Sequence, residues 1–190
     1  SLIGGFAAYQ TRGVTYSLER HNHDAARSEL TTAVQRLLNQ TQEQAANLAN
    51  WDETRQQMVQ PEYYTYWRDQ RVYESGILPS HFVRVALYTP SGSLLATRSG
   101  EIRLPARLPA DLPLHQAASW LTGEADSAVL YHAFPIYADK HRLSLLGYGL
   151  IRLDFMPALL QQEALYFTDK TSVRLTLKPG EKLSAAKLLS

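Results

Sequence analysis

The chain has 190 residues, 45% hydrophobic and 19% charged, with a formal net charge of +1 and no cysteine. That balance fits one globular domain with a sizeable core, or such a domain plus an extended helix, and argues against a disordered segment. The near-neutral charge argues against nucleic acid as a partner, because phosphate binding needs a clear basic excess, and the lack of Cys removes disulfides, thiolate nucleophiles and Cys-ligated zinc.

In chain order, residues 1–13 (SLIGGFAAYQTRG) are apolar only through Tyr9. This falls short of the ~20 apolar residues of a membrane span. The stretch reads either as the outer end of a membrane helix or as an ordinary helix start. Residues 14–60 are predicted to form one long helix, since neither Pro nor Gly occurs from Val14 to Val59 and Pro61 stops it. Leu30, Ala33, Val34, Leu37, Leu38, Thr41, Ala45 and Leu48 make an apolar stripe, opposite Arg27, Gln35, Arg36, Gln42 and Glu43. The stripe suggests pairing with a second copy, and so a parallel homodimer through this helix. The HNHD run at 21–24 resembles a metal cluster, but His21 and His23 would face different sides of a helix and no second cluster completes a site.

Residues 61–178 are expected to form the core domain. A second short helix is predicted over 62–73, ended by Gly76 and Pro79. HFVRVALYT (81–89), a PSG turn and SLLATRS (93–99) read as a hairpin. Residues 100–113, with three prolines, are a loop, and LHQAASWLTG (114–123) reads as a short helix ended by Gly123. AVLYHAFPIY (128–137) is a strand in which Pro135 marks an edge or a bulge. RLSLLGYGLIRL (142–153) is another strand, Asp154 caps a helix of FMPALLQQEAL, and TSVRLTL (171–177) is the last strand. Residues 179–190 are a basic tail. From Lys170 onward five cations face only Glu181, a solvated end or a contact with a membrane surface. The short links favour antiparallel pairing, so the predicted class is α+β: a long N-terminal helix on an antiparallel sheet of about five strands with short helices.

No phosphate loop, dinucleotide-binding, nucleophile-elbow or HExxH motif is present, and the acidic residues share no spacing. The domain is therefore expected to carry no catalytic residue, metal or cofactor. The stretch with chemical character is NLANWDETRQQMVQPEYYTYWRDQR (47–71), where Trp51, Tyr63, Tyr64, Tyr66 and Trp67 alternate with Asp and Arg. It reads either as one wall of a small-molecule pocket or as a helix end whose aromatics plug the sheet while its charges stay in water. On strand 81–89, Val83, Val85 and Leu87 share one face and suit helix packing. Arg84, Ala86 and Tyr88 share the other, where a cation and a phenol suit a cavity for a small polar or anionic ligand. Tyr64, Trp67, Arg84 and Tyr88 are thus the expected ligand-binding residues. Trp51 is expected to anchor the first helix to the sheet, and Asp52 to hold Arg55 or a backbone N–H.

Trp51-Asp52 at the end of the long helix, the Ser91-Gly92 hairpin turn and Gly147-Tyr148 in the late strand resemble the CHASE-type (fourth variety) extracytoplasmic sensory domains, over about residues 15–177. The resemblance implies a PAS-like or Cache-like fold and a periplasmic domain of an inner-membrane receptor, anchored by flanking membrane segments. It favours the membrane-helix reading of residues 1–13. It also implies a cytoplasmic output, commonly a GGDEF or EAL module that makes or degrades cyclic-di-GMP. The competing expectation is a dimerisation and protein-interaction module of a histidine kinase or chemoreceptor, without a small ligand.

Overall fold

The computed structural model describes residues 13–17, 23–78, 83–95, 104–112, 115–123, 127–161 and 172–176. Its elements are β1 (Gly13–Ser17), α1 (His23–Ala49), α2 (Asp52–Val59), a 3-10 turn (Pro61–Tyr63), α3 (Tyr64–Tyr66), a π-helix (Trp67–Glu74), β2 (Val83–Tyr88), β3 (Ala118–Thr122), β4 (Val129–Tyr137), β5 (Leu145–Asp154), α4 (Phe155–Leu160) and β6 (Ser172–Thr176). The class is α+β, an N-terminal helix packed on a four-stranded antiparallel sheet ordered β2-β5-β4-β3 with short helices, while β1 and β6 form a separate pair.

The predicted helix over 14–60 is corrected in two places. Gly13–Ser17 is a strand paired antiparallel with β6, Gly13 opposite Thr176 and Ser17 opposite Ser172. The absence of Pro and Gly permits a helix but does not impose one, and VTY is β-branched and aromatic. The second break falls at Trp51, whose backbone is extended (φ −85°, ψ 127°). There α2 restarts with Asp52 and Glu53 in its first turn, where carboxylates favour the positive end of the helix dipole. The apolar stripe on α1 is buried within the single chain at Ala33, Val34, Leu37, Leu38, Thr41, Ala45 and Leu48. Of HNHD, only the last two residues fall in a described element, the start of α1.

Two compact units divide the chain. One comprises residues 1–40, 119–131 and 153–190. Its turn after β3 needs Gly123, which has φ +82° and whose Cβ would come within 2.8 Å of the Ser127 carbonyl oxygen. This overturns the predicted helix over 114–123: residues 118–122 are a strand, with Trp120 stacked on Tyr131 at 5.3 Å. A glycine after an apolar run marks a helix end and a strand turn equally well, and here it closes a strand. Phe155 N–H donates to the Ala128 carbonyl at 3.0 Å and starts α4, where Asp154 occupies the N-cap position without a side-chain cap bond.

The other unit holds residues 41–118 and 132–152. Here β2 is buried on both faces, Val83, Val85 and Leu87 as well as Ala86 and Tyr88. Its neighbour β5 approaches so closely that a Cβ on Gly147 (φ +152°) would overlap the Tyr88 carbonyl oxygen and the Met58 methyl. The predicted second hairpin strand is reduced to isolated bridges, Tyr88 with Leu94 and Ser93 with Arg107, and residues 96–99 lie outside the described residues. With 93–95 carrying only isolated bridges and 172–176 pairing elsewhere, the sheet expected to have about five strands has four among the described residues. Pro135 lies in β4, an inner strand, and not on an edge strand. The five-residue β3 is too short to cover all nine residues of β4.

Candidate functional site

The segment after α1 folds back on α2. Gln60 ends α2, Pro61 opens the 3-10 turn at a position where its missing N–H is harmless, and the winding widens from there through α3 into an eight-residue π-helix. Such i→i+5 stretches are rare and concentrate at functional sites. Trp67 is 1% exposed, with its ring between Trp51 (6.1 Å, inclined 39°) and Tyr64 (6.0 Å, inclined 38°).

Between α2 and the π-helix lies a cleft of about 360 Å³. Glu53, Gln56, Gln57 and Gln60 line it from the α2 side, and Tyr63, Tyr66, Trp67 and Arg71 from the other. Arg71 grips Glu53 with a two-pronged ion pair, Nε to Oε2 at 2.9 Å and Nη2 to Oε1 at 2.8 Å. Those bonds hold the Glu53 carboxyl below its usual range and push the Arg71 guanidinium up. The Arg71 guanidinium also lies 5.9 Å from the Trp51 ring centroid, so Trp51 backs the pair. Gln57 donates to the Glu53 carbonyl at 2.9 Å. Two lining residues keep buried polar atoms with no partner among the described residues: the Trp67 indole N–H, and Oε1 of Gln57, a residue 6% exposed. Tyr63 and Tyr66 stand open at the rim, 60% and 62% exposed.

Of the four residues expected to bind ligand, only Trp67 lines this cleft. Tyr64 is buried and accepts from the Leu87 N–H at 3.4 Å. Tyr73, nine residues on, accepts from the Val85 N–H at 3.0 Å and donates to the Val85 carbonyl at 3.4 Å. These two phenols, with the Leu95 N–H on the Leu87 carbonyl at 2.9 Å, occupy the edge of β2 that has no neighbouring strand among the described residues. Tyr88 is fully buried, and its hydroxyl donates to the Pro105 carbonyl at 2.6 Å. Arg84 is half-buried, donates to the Val83 carbonyl at 3.0 Å and lies 5.1 Å from the Tyr73 ring centroid. The two tryptophans differ from expectation: Trp67 is the core residue and Trp51 is half-buried. Asp52 pairs with Arg55, whose Nε reaches the Tyr137 carbonyl at 3.0 Å.

Sequence reasoning missed Glu53, Gln56, Gln57, Gln60 and Arg71. Four of these fall at spacings of three and four along α2 and form one polar stripe, a signal that was available. The fifth, Arg71, lies 18 residues from Glu53, beyond any local spacing rule. Among the described residues no group of three or more His, Asp and Glu is placed to hold a metal ion. No described helix is long and apolar enough to cross a membrane. Comparison with known proteins finds no matching family model, no matching curated protein and no matching solved structure.

Proposed function

We propose that this chain is the sensory domain of a bacterial membrane-bound signalling receptor, and that the cleft between α2 and the π-helix takes its signal molecule. What carries the reading is the cleft, where a buried indole, two open phenols and a fixed ion pair converge on one concave surface with unpartnered polar atoms behind it. In this reading the domain has the PAS-like or Cache-like character implied by Trp51-Asp52, Ser91-Gly92 and Gly147-Tyr148. It performs no catalysis, lies in the periplasm between flanking membrane segments, and regulates a cyclic-di-GMP output.

A thermal-shift screen of metabolites on the parent and three variants tests this. A ligand that stabilises the parent should lose its effect in Glu53→Ala and Arg71→Ala and keep it in Arg84→Ala. Full retention in the first two variants, or loss only in Arg84→Ala, removes the cleft from the reading.

One observation favours a second reading, a protein-interaction module. Val59, 69% exposed, lies close in sequence to the open Tyr63 and Tyr66, and exposed apolar side chains so grouped suit a protein partner. A co-purified partner lost on Tyr63→Ser with Tyr66→Ser, with no small molecule active in the screen, would select it.

A further inference from the structure

The lining of the cleft says more about its ligand than its presence does. The two charged residues that line it, Glu53 and Arg71, are already paired with each other through two bonds. An anion entering here would meet a cation whose best donors are taken, and would face the Glu53 carboxylate as well. A cation meets the converse problem. The remaining polar lining consists of the Gln56, Gln57 and Gln60 amides, so the surface is polar and formally neutral. A purely apolar ligand would strip water from these amides and from the ion pair without replacing its hydrogen bonds.

The shape of the polar groups narrows the class further. A carboxylate, a guanidinium and an amide each present two polar atoms side by side in one plane. Two neighbouring hydroxyls on a saturated ring match that spacing, and each hydroxyl both donates and accepts. Such a group can bond a guanidinium N–H and a carboxylate oxygen together without breaking their pair. Tyr63 and Tyr66, 60% and 62% exposed, supply open π-faces, against which the C–H face of a saturated ring packs. The cleft volume of about 360 Å³ is at the small end of ligand sites, room for one or two rings.

We infer that the cleft binds a neutral saccharide, with a pyranose face on the open Tyr63 and Tyr66 rings, the buried Trp67 behind them, and vicinal hydroxyls on the Glu53–Arg71 pair and the glutamine amides. This rests on the cleft being the ligand site of the domain. The Trp67 indole N–H, buried and without a partner among the described residues, is its natural reporter.

The test is a ¹⁵N NMR titration of the 190-residue chain with D-glucose, D-galactose and D-mannose, and with glucuronate and glucosamine as charged counterparts. The three indole signals are assigned by single Trp→Phe variants. At least one neutral pyranose should shift the Trp67 indole and the backbone amides of 53–71, and the charged sugars should bind at least tenfold more weakly. Glu53→Gln, which leaves the fold intact at a part-exposed site and frees Arg71, should weaken the neutral sugar at least tenfold and strengthen glucuronate. Glucuronate, glucosamine or another charged metabolite binding at 53–71 in the parent, with no neutral pyranose doing so, overturns the saccharide class and leaves the cleft in place. Failure of every neutral pyranose to shift these signals likewise overturns the class. A metabolite that binds while shifting only residues outside 53–71 overturns the cleft itself.

Discussion

Tyr73→Phe removes one oxygen and keeps the ring, so the Arg84 guanidinium retains its stacking partner. The lost hydroxyl accepts from the Val85 N–H at 3.0 Å and donates to the Val85 carbonyl at 3.4 Å, on the open edge of β2. Val85 is fully buried, so water does not easily replace the phenol. A buried N–H left without an acceptor costs about 1–3 kcal/mol, against about 1 kcal/mol for a neutral bond that water can replace. The expected loss for Tyr73→Phe is therefore about 1–3 kcal/mol. The longer Leu87 N–H contact with Tyr64, 3.4 Å, predicts a loss of about 1 kcal/mol or less when that hydroxyl is removed. Urea unfolding gives the stability change, and amide hydrogen exchange at Val85 shows whether it is local. Tyr73→Phe within about 0.3 kcal/mol of the parent, with unchanged exchange at Val85, refutes the capping argument.

Trp67→Ala should cost about 3–5 kcal/mol as a core deletion and Trp51→Ala clearly less, since Trp51 is half-buried; equal losses in urea unfolding would reject this ordering. Burial pushes the pKa of His132, 3% exposed, down to about 4, so above pH 6.5 the ring is neutral in both states and between 6.5 and about 4 only the unfolded chain takes the proton. Stability should then fall by roughly 1.4 kcal/mol per pH unit across that window, about 3 kcal/mol in all, and a profile of the same slope in His132→Gln would show that another group is responsible. If two copies pair through α1, they must use its polar face, because the stripe is buried within one chain; single-cysteine crosslinks should favour Gln35, Asn39 and Gln42 over Val34, Leu37 and Thr41, and the reverse pattern would contradict the structure.

The strands that a reader finds in the sequence are those whose burial writes a local pattern. Val83–Tyr88, Val129–Tyr137 and Leu145–Asp154 are apolar runs bounded by turn residues, and all three are present. β1 is silent because its reason for being a strand lies at residues 172–176, more than 150 positions away. β3 is silent because a short run of Ala, Ser, Trp and Leu closed by glycine satisfies helix and strand alike. The restart at Asp52 left a faint mark, two acids in a row, which the continuous apolar stripe of α1 outweighed.

The segment 47–71 was legible as the place where chemistry concentrates, but the division of labour within it was not. On an α-helix, nine residues turn through about 900°, which puts Tyr64 and Tyr73 on opposite faces. The π-helix from Trp67 advances by roughly 80° per residue, so the two phenols come within about a quarter turn of each other. That is how both reach β2 at residues two apart, Leu87 and Val85. The same winding brings Tyr66, Trp67 and Arg71 to the cleft. One segment of ten residues therefore lines the site with some side chains and closes a sheet edge with others. A ligand that moves Arg71 or Tyr66 acts on the stretch between two hydrogen-bonded phenols, and the bonds it loads are those at the edge of β2. Amide exchange at Val85 and Leu87 thus reports on the cleft as well as on the fold, and the edge of β2 is where occupancy of the site should first be felt by the sheet.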